Sequence, residues 1–264
     1  ARADTWRAFI KRAHEPNERR VALNMKRYLR SAGARIAKRV GDEMGTKGGT
    51  VPVTRQLDDL ALDRILDDAT ERAQILEIFR PLFRSMMADA IAAAAESLPV
   101  DVDLSADVIQ DLVTARTATM IKQIQATTKI QVRSTIVRGL EEGMSTKQIQ
   151  QGLLQSTTFS PNRAMTIART ETTALMNQAG VASMKDAESK GVRLQKEWLS
   201  ARDGKVRDTH QPGPGGMDGQ RVPVDGMFKS TSGATGNGPG EMGSGSENIN
   251  CRCVAVPFVE GVSS

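Results

Sequence analysis

The spacing of apolar residues changes near Gly191, and this change constrains the fold more than any other feature of the sequence. Before Gly191, apolar side chains recur at steps of three and four residues, which is the spacing along one face of an α-helix. After it, the residues of VRLQKEWLS (192–200) alternate in character, which is typical of a β-strand. The sequence therefore predicts a helical body followed by a small region of sheet.

Interruptions of the helical spacing divide this body into separate helices. A short apolar stripe over residues 3–13 precedes the first long helix, and the composition of residues 41–54 predicts a linker. Pro81 lies within the stripe of residues 76–91, so this helix is predicted to be kinked or to begin there. The stripe over residues 105–140 predicts one long helix or two in tandem.

Capping residues mark the ends of the later helices. Ser145 or Thr146 is a predicted N-cap, because a hydroxyl oxygen there accepts a hydrogen bond from a free backbone N–H of the first turn. Ser160 is a second predicted N-cap, with Pro161 at the first helical position, where its missing N–H has no consequence. Gly191 is predicted to end that helix.

The C-terminal part combines short strands with a long loop. Further strands are predicted in QRVPV (220–224) and RCVAVPF (252–258). Residues 211–250 hold 11 of the 23 glycines, so this stretch is predicted to be a long loop around short strands. With 3% aromatic residues, the core consists mostly of small aliphatic side chains that suit helix packing. The predicted fold is mainly α with a small C-terminal α+β cap: long amphipathic helices followed by a short-stranded sheet and a Gly-rich loop.

Positive charge is concentrated at the start of the chain. Residues 1–40 contain twelve Lys and Arg against three acidic residues, a net charge of +9, whereas the whole chain carries +5. Such a segment indicates contact with nucleic acid or with an acidic protein surface, and a solvated helix face is the alternative. The residues predicted to contact double-stranded DNA are Arg19, Arg20, Lys26, Arg27 and Arg30.

Composition also suggests where the protein is made. No run of about 18 apolar residues occurs, so the sequence predicts neither a membrane-spanning helix nor a membrane partner. The chain has 2 cysteines, which argues against a secreted fold built on disulfides and favours synthesis in the cytoplasm.

A series of motifs in the C-terminal half resembles a known family. IARTETTALMNQAG (167–180) is followed by EWLSARDGKVRDTHQ (197–211), MDGQRVPVDGMF (217–228) and NINCRCVAVP (248–257). In this order the motifs resemble the phage Mu protein F-like head morphogenesis domain, over roughly residues 105–258.

The resemblance implies a structural minor head protein of a tailed phage or prophage. Such a protein would be associated with the portal, would assemble with capsid and scaffold proteins in the host cytoplasm, and would reside in the phage head. It would act in head assembly and in DNA packaging or ejection. The family domain also occurs fused to portal proteins and as a carrier of toxin modules.

Charge and linker composition, together with the resemblance, suggest a domain organisation, and the resemblance suggests a set of structural residues. The predicted domains are a basic helical arm and linker (1–54), a helical segment (55–104) and the Mu F-like domain (105–264), with helices over 105–190 and the β cap over 191–258. The predicted motif residues are Arg169, Glu171, Trp198, Asp203, Arg207, Asp208, His210, Asp218, Gly219, Asn250 and Arg252.

The two cysteines suggest a metal site. In an extended segment Cys251 and Cys253 point to one face, so both thiolates could bind one zinc ion, with His210 as third and Asp208 as fourth ligand. The alternative is that both are small buried apolar residues and that no cofactor is bound. Many members of the family instead carry Cys-x-x-Cys where this chain has DGKVRD (203–208), and a His before the final NCRC.

Glu171 separates two classes of function. It follows an apolar run, so we expect it to be buried and paired with Arg207, Arg252 or His210, which would hold the β cap on the helix. The alternative is a metal-dependent hydrolase or toxin-like enzyme that uses Glu171, Asp208 and His210. The sequence has no nucleophile elbow or phosphate-binding loop, which favours the structural role. His14 is predicted to lie at the surface.

Overall fold

The structure is a computed structural model that describes residues 10–45 and 58–260. These residues are mainly helical and end in a small antiparallel sheet region, which confirms the predicted fold class. Residues 3–9 of the first predicted stripe and residues 46–54 of the predicted linker lie outside the described residues. None of the described helices is long and apolar enough to cross a bilayer.

The helices follow the apolar stripes closely. After a π-helical turn at Ile10–His14, they are α1 (Glu15–Met44), α2 (Asp59–Leu66), α3 (Asp68–Ala95), α4 (Ala106–Glu141), α5 (Thr146–Gln155), α6 (Pro161–Ser189) and the short α7 (Gly245–Asn248). Pro81 lies inside α3, so the alternative that a helix begins there is wrong. The stripe over 105–140 forms the single helix α4 rather than two in tandem.

The predicted caps are present. Ser145 accepts a hydrogen bond from the backbone N–H of Gln148, whose side chain returns one to the backbone of Ser145, which completes a capping box. Ser160 accepts from the backbone N–H of Arg163 at 3.2 Å, directly before α6. Gly191 follows α6 with φ of 90°, a conformation that glycine adopts without steric penalty.

The chain divides into two compact units. The C-terminal unit comprises the described parts of Ala1–Val21, Pro81–Arg116 and Thr166–Ser264, and the helical unit comprises those of Ala22–Arg80 and Thr117–Met165. The domain boundaries predicted from the sequence remain predictions.

The helical unit has its own apolar core, to which Ile36, Val40, Leu62, Ile65, Val132, Ile136, Ile149 and Leu153 contribute. Glu71 is buried beside this core and is neutralised by Arg35 at 2.6 Å and by Arg39 at 3.2 Å. Tyr28 donates a further hydrogen bond of 3.2 Å to the same carboxylate. Part of the positive charge of residues 1–40 is therefore used within this unit.

The C-terminal unit contains the sheet. Strands β1 (Leu194–Leu199), β2 (Arg221–Pro223) and β5 (Val254–Val259) form an antiparallel sheet in the order β2-β1-β5. Strands β3 (Phe228–Lys229) and β4 (Thr235–Gly236) form a separate pair. The strands predicted in 192–200, 220–224 and 252–258 are thus confirmed. Under the long loop, Trp198, Met217, Phe228, Met242, Cys251 and Cys253 form one buried cluster.

Candidate functional site

One face of α6 binds the backbone of the segment that carries the two cysteines. Thr173 Oγ1 donates to the carbonyl oxygen of Cys251 at 2.6 Å, and Asn177 Nδ2 donates to that of Cys253 at 3.2 Å. The backbone N–H of Asn250 donates to Thr170 Oγ1 at 3.1 Å, and that of Ala255 donates to Asn177 Oδ1 at 2.7 Å. Residues 170, 173 and 177 lie on one helical face because of their spacing. We call these four hydrogen bonds between α6 and residues 250–255 the clamp.

The Gly-rich loop also lies directly against α6. Gly240 has φ of 87°, and a Cβ atom at this position would lie 2.7 Å from the Cα of Ala174. Only glycine therefore allows the loop to approach the helix so closely. On the same side, Gln178 donates a hydrogen bond of 2.5 Å to Glu241.

Glu171 is buried, as predicted, but its partner differs from the three that we expected. Its carboxylate accepts a hydrogen bond of 2.6 Å from Arg116 of α4, and both side chains are buried. The expectation of Arg207, Arg252 or His210 was wrong because successive helical residues are about 100° apart. Glu171 therefore does not share the face through which Thr170 and Thr173 bind the cysteine segment.

The other motif arginines are also paired. Arg169 binds Glu18 at 3.0 Å, and Arg252 binds Asp203 at 2.6 Å. Arg207 donates to the carbonyl oxygen of Ile249. The contacts of Arg252 and Arg207 join the motif at 197–211 to the motif at 248–257, which is consistent with a structural use of the motifs.

The remaining motif residues shape turns. Asp218 accepts a hydrogen bond of 2.7 Å from the backbone N–H of Ser200 and forms an ion pair of 2.6 Å with Arg202. Gly219 has φ of 88° and donates its N–H to the carbonyl oxygen of Trp198 at 2.8 Å. Asn250 has φ of 59°, in the left-handed region that asparagine tolerates better than most residues.

His210, Cys251 and Cys253 converge at the centre of the buried cluster. The Nδ1 atom of His210 lies 3.7 Å from the Sγ of Cys251 and 3.5 Å from the Sγ of Cys253. On the other side of the ring, Nε2 lies 2.7 Å from Glu247 Oε2. The indole of Trp198 packs edge-on against the imidazole, with ring centroids 5.0 Å apart. Three of the four predicted metal ligands therefore come together.

Asp208 is not part of this group. It is exposed, and its side chain accepts a hydrogen bond of 3.3 Å from Gln211. Asp208 and His210 lie in a 3₁₀ turn, in which two residues two positions apart point to different sides. The prediction that Asp208 supplies a fourth ligand is therefore wrong, because it assumed that the two side chains share a direction.

Glu247 is the partner that fixes His210. Burial raises the pKa of its carboxyl group, but hydrogen bonds from Ser232, Ser230, Thr209 and His210 outweigh this effect and lower the pKa to about 2. The carboxylate is ionised at neutral pH, so Nε2 of His210 carries a proton toward it. The free lone pair of the neutral ring is then on Nδ1, which faces the two sulfurs.

The two thiols are not equivalent. A hydrogen bond from Cys253, together with His210, lowers the pKa of Cys251 well below its ordinary value, although burial opposes this. The hydrogen bond with Cys251, together with burial, raises the pKa of Cys253. The pair therefore favours one thiolate, that of Cys251, which accepts a hydrogen bond from the thiol of Cys253.

His14 is buried rather than exposed, contrary to the prediction. Its Nε2 lies 3.0 Å from Thr173 Oγ1, and its Nδ1 lies 3.6 Å from Glu18. Burial, with the nearby charges of Arg169 and Arg252, lowers the pKa of His14 to about 4. Thr173 donates its hydroxyl proton to the carbonyl oxygen of Cys251, so its oxygen is left as an acceptor for His14. The neutral imidazole of His14 therefore carries its proton on Nε2.

Several site residues were not identified from the sequence. Thr170, Thr173 and Asn177 have a helical spacing that could have suggested a polar face on α6. Glu247 precedes NINC, but no local pattern indicates that it binds His210. The pairing of Arg116 with Glu171 joins residues 55 apart and leaves no signal in a single sequence.

The predicted DNA contacts all lie on α1. Arg19 is exposed and lies 3.6 Å from Glu15, whereas Arg20 contacts Asn17 and Asp89. Exposed side chains are also found at Lys26, Arg27 and Arg30. The opposite face of the same helix is buried, through Val21, Met25 and Leu29. These observations are compatible with DNA contact, which remains a prediction.

Comparison with known proteins finds relatives that match about half of this chain. Over 132 residues, half of this chain, it is 34% identical to NAD(+)--arginine ADP-ribosyltransferase EFV of Enterococcus faecalis. Over 130 residues it is 31% identical to minor head protein GP7 of Bacillus phage SPP1. The matched segment spans 26% of the first relative and 41% of the second. No solved structure matches this chain.

The family assignment rests on the segment that contains the clamp and the cysteine cluster. The model of the family described as Phage Mu protein F like protein matches residues 130–256. This range includes α6, most of the sheet and nearly all of the four sequence motifs that resemble the family. Residues 130–256 of this chain therefore form a Phage Mu protein F-like domain.

Proposed function

We propose that this chain is a structural minor head protein of a tailed phage or prophage. It acts in head assembly in association with the portal, the capsid and the scaffold, and in DNA packaging or ejection. The observation that carries this proposal is the clamp between α6 and residues 250–255, in which the family motif forms internal contacts. The relative named minor head protein supports the same assignment.

If the family motif acts by holding the fold together, weakening the clamp should reduce incorporation of this chain into heads. In a phage that carries the gene, Thr173→Val should reduce the amount of this chain in purified heads, because the clamp loses its shortest hydrogen bond. Thr114→Val is the matched control, since Thr114 is an exposed threonine of α4. Quantitative mass spectrometry of heads and of portal-containing fractions measures the outcome. Equal incorporation of both variants, or absence of the wild-type chain from heads, contradicts the proposal.

One relative bears on the enzyme alternative that uses Glu171, Asp208 and His210. The similarity to a protein named NAD(+)--arginine ADP-ribosyltransferase suggests a toxin-like activity, although this chain spans 26% of that protein. The three side chains that we considered for catalysis have separate surroundings: Glu171 is paired with Arg116, His210 with Glu247, and Asp208 is exposed. Both Glu171 and His210 are at most 2% exposed, which disfavours their contact with a substrate.

A transfer assay tests the enzyme alternative directly. The purified chain is incubated with labelled NAD and an arginine-rich acceptor protein, and a known arginine ADP-ribosyltransferase serves as the positive control. We expect no label on the acceptor above that of a reaction without the chain. Transfer that is abolished in Glu171→Gln, while that variant still enters heads, would favour the enzyme.

A further inference from the structure

We propose that His210, Cys251 and Cys253 bind one zinc-class divalent cation, and that Glu247 is the positioning residue that orients the imidazole for it. The three ligand atoms lie within 4.8 Å of one another, and all three residues are buried. They are the only such group among residues 10–45 and 58–260. The assignment rests on their distances, on the hydrogen-bonding capacity of His210 and on the groups that surround the sulfurs.

The distances fit a tetrahedral metal. Zinc lies about 2.3 Å from a thiolate sulfur and about 2.0 Å from an imidazole nitrogen, so tetrahedral angles place these two ligands about 3.5 Å apart. His210 Nδ1 lies 3.5 Å from the sulfur of Cys253 and 3.7 Å from that of Cys251. A cation therefore fits between the three atoms with little movement of the chain.

Hydrogen bonding alone does not use both short contacts between the imidazole and the sulfurs. His210 Nε2 is committed to Glu247 at 2.7 Å, so the neutral ring presents a single lone pair, on Nδ1. This lone pair accepts a proton from one thiol only, yet two sulfurs lie at nearly the same distance from it. A cation bound to all three atoms uses the lone pair and both sulfurs at once.

Hydrogen-bond donors lie around the sulfurs. The backbone N–H of Cys253 donates to the sulfur of Cys251 at 3.5 Å. The indole N–H of Trp198 is buried without a hydrogen-bond partner. The indole is a donor only and belongs to the same buried cluster as both sulfurs, where a thiolate would be an acceptor for it. If both thiols were neutral, these N–H donors would have only weak sulfur acceptors.

Glu247 supplies the outer support that metal-binding histidines usually have. Its Oε2 binds His210 and Thr209, and its Oε1 binds Ser230 at 2.9 Å and Ser232 at 2.6 Å. A carboxylate held by four donors fixes both the tautomer and the direction of the imidazole. The hydrogen bonds of Ser230 and Ser232 to Glu247 thereby connect this part of the Gly-rich loop to the proposed site.

A gap of about 10 Å³ lies beside the three ligand residues, and Lys205, Arg207 and Arg252 help to line it. This volume corresponds to roughly one water molecule. A solvent molecule in this gap would be available as a fourth ligand. The metal would connect the turn at His210 with residues 251–253, some 41 residues later, and so close the Gly-rich loop.

Metal content and metal-dependent stability test the proposal. The full chain is purified, stripped with a chelator and titrated with Zn²⁺, and with Co²⁺ as a spectroscopic probe. We expect one metal per chain, a thiolate-to-cobalt charge-transfer band with tetrahedral d–d bands, and a higher melting temperature with metal. Failure of the stripped wild-type chain to bind either ion, or binding with no sulfur-to-cobalt band, overturns the proposal.

Variants distinguish the ligands from their neighbours. Cys251→Ser, Cys253→Ser and His210→Gln should each abolish stoichiometric binding, whereas Asp208→Asn should bind like the wild type because Asp208 lies outside the site. Glu247→Gln should retain the cobalt spectrum and bind roughly 10–100-fold more weakly. Retained binding in both cysteine variants, or loss of binding in Asp208→Asn, contradicts the ligand assignment. Because the stripped wild-type chain is measured directly, a variant that fails to fold does not decide the result.

Discussion

Thr173 Oγ1 lies 2.6 Å from the carbonyl oxygen of Cys251, so a side chain of α6 fixes the backbone of the segment that holds both thiols. The same hydroxyl lies 3.0 Å from His14 Nε2, and all three groups are buried. A single threonine thus joins the residue before α1, the middle of α6 and the cysteine segment within the C-terminal unit.

Thr173→Val should lower the free energy of unfolding of the C-terminal unit by about 1–3 kcal/mol. The substitution keeps the shape of the side chain but leaves a buried carbonyl oxygen without its donor. Denaturant unfolding, followed by tryptophan fluorescence in a Trp6→Phe background so that buried Trp198 is the reporter, measures the change. Thr114→Val should alter stability by less than about 0.5 kcal/mol, since Thr114 is exposed. Equal values for the two variants would show that the clamp has no energetic role.

Glu171→Gln should be strongly destabilising, because it leaves Arg116 as a buried charge without its carboxylate. Breaking one side of a buried ion pair typically costs about 3–5 kcal/mol. The double variant Glu171→Leu/Arg116→Met should recover much of that stability, since it removes both charges from the interior. Chemical denaturation of the two variants and the wild type measures this. A single variant as stable as the wild type would contradict the structural role of the pair.

The stability of the C-terminal unit should decrease on acidification through His14. The pKa of His14 is about 4 in the folded chain, whereas its ordinary value of 6.5 applies to the unfolded chain. As the pH falls, the unfolded chain therefore binds the proton first, and this favours unfolding. The stabilising contribution is complete above about pH 6.5 and disappears between that pH and about 4. A shift of this size corresponds to a few kcal/mol.

His14→Gln should therefore flatten the pH dependence of the free energy of unfolding within that window. His210 is present in both proteins, so its effect cancels in the comparison. The charged groups that face His14 are Glu18, Arg169 and Arg252, and all three remain. An unchanged slope in the variant would mean that His14 becomes protonated without disrupting the fold.

The basic face of α1 should bind double-stranded DNA with little sequence preference. Deleting residues 1–40 would not test this, because Val21, Met25 and Leu29 of the same helix are buried. The triple variant Lys26→Gln/Arg27→Gln/Arg30→Gln keeps that buried face. It should weaken binding and reduce the salt dependence, by about 0.9 in the log–log slope for each DNA phosphate that is no longer neutralised.

The charge-matched control is Arg72→Gln/Lys122→Gln/Lys147→Gln, which removes three exposed basic residues elsewhere in the helical unit. Fluorescence anisotropy with two unrelated duplexes at several salt concentrations measures both variants. If the two triple variants reduce affinity and slope equally, net charge rather than the α1 face accounts for binding.

The sequence by itself determined the elements of this fold. Apolar spacing located the long helices, and hydroxyl and proline signals located the starts of α5 and α6, since these signals act within a few residues. The alternation around Trp198 located β1. The order of the motifs identified the family, and the i, i+2 spacing of Cys251 and Cys253 correctly placed both sulfurs on one side.

The tertiary structure decided which side chains are partners. Glu171 is paired across 55 residues with Arg116, and His210 across 37 residues with Glu247. No local pattern encodes such pairs, because they depend on how separate elements are packed rather than on the order of neighbours. The same limit applies to Asp208, which points outward only because residues 208–210 form a 3₁₀ turn instead of an extended segment.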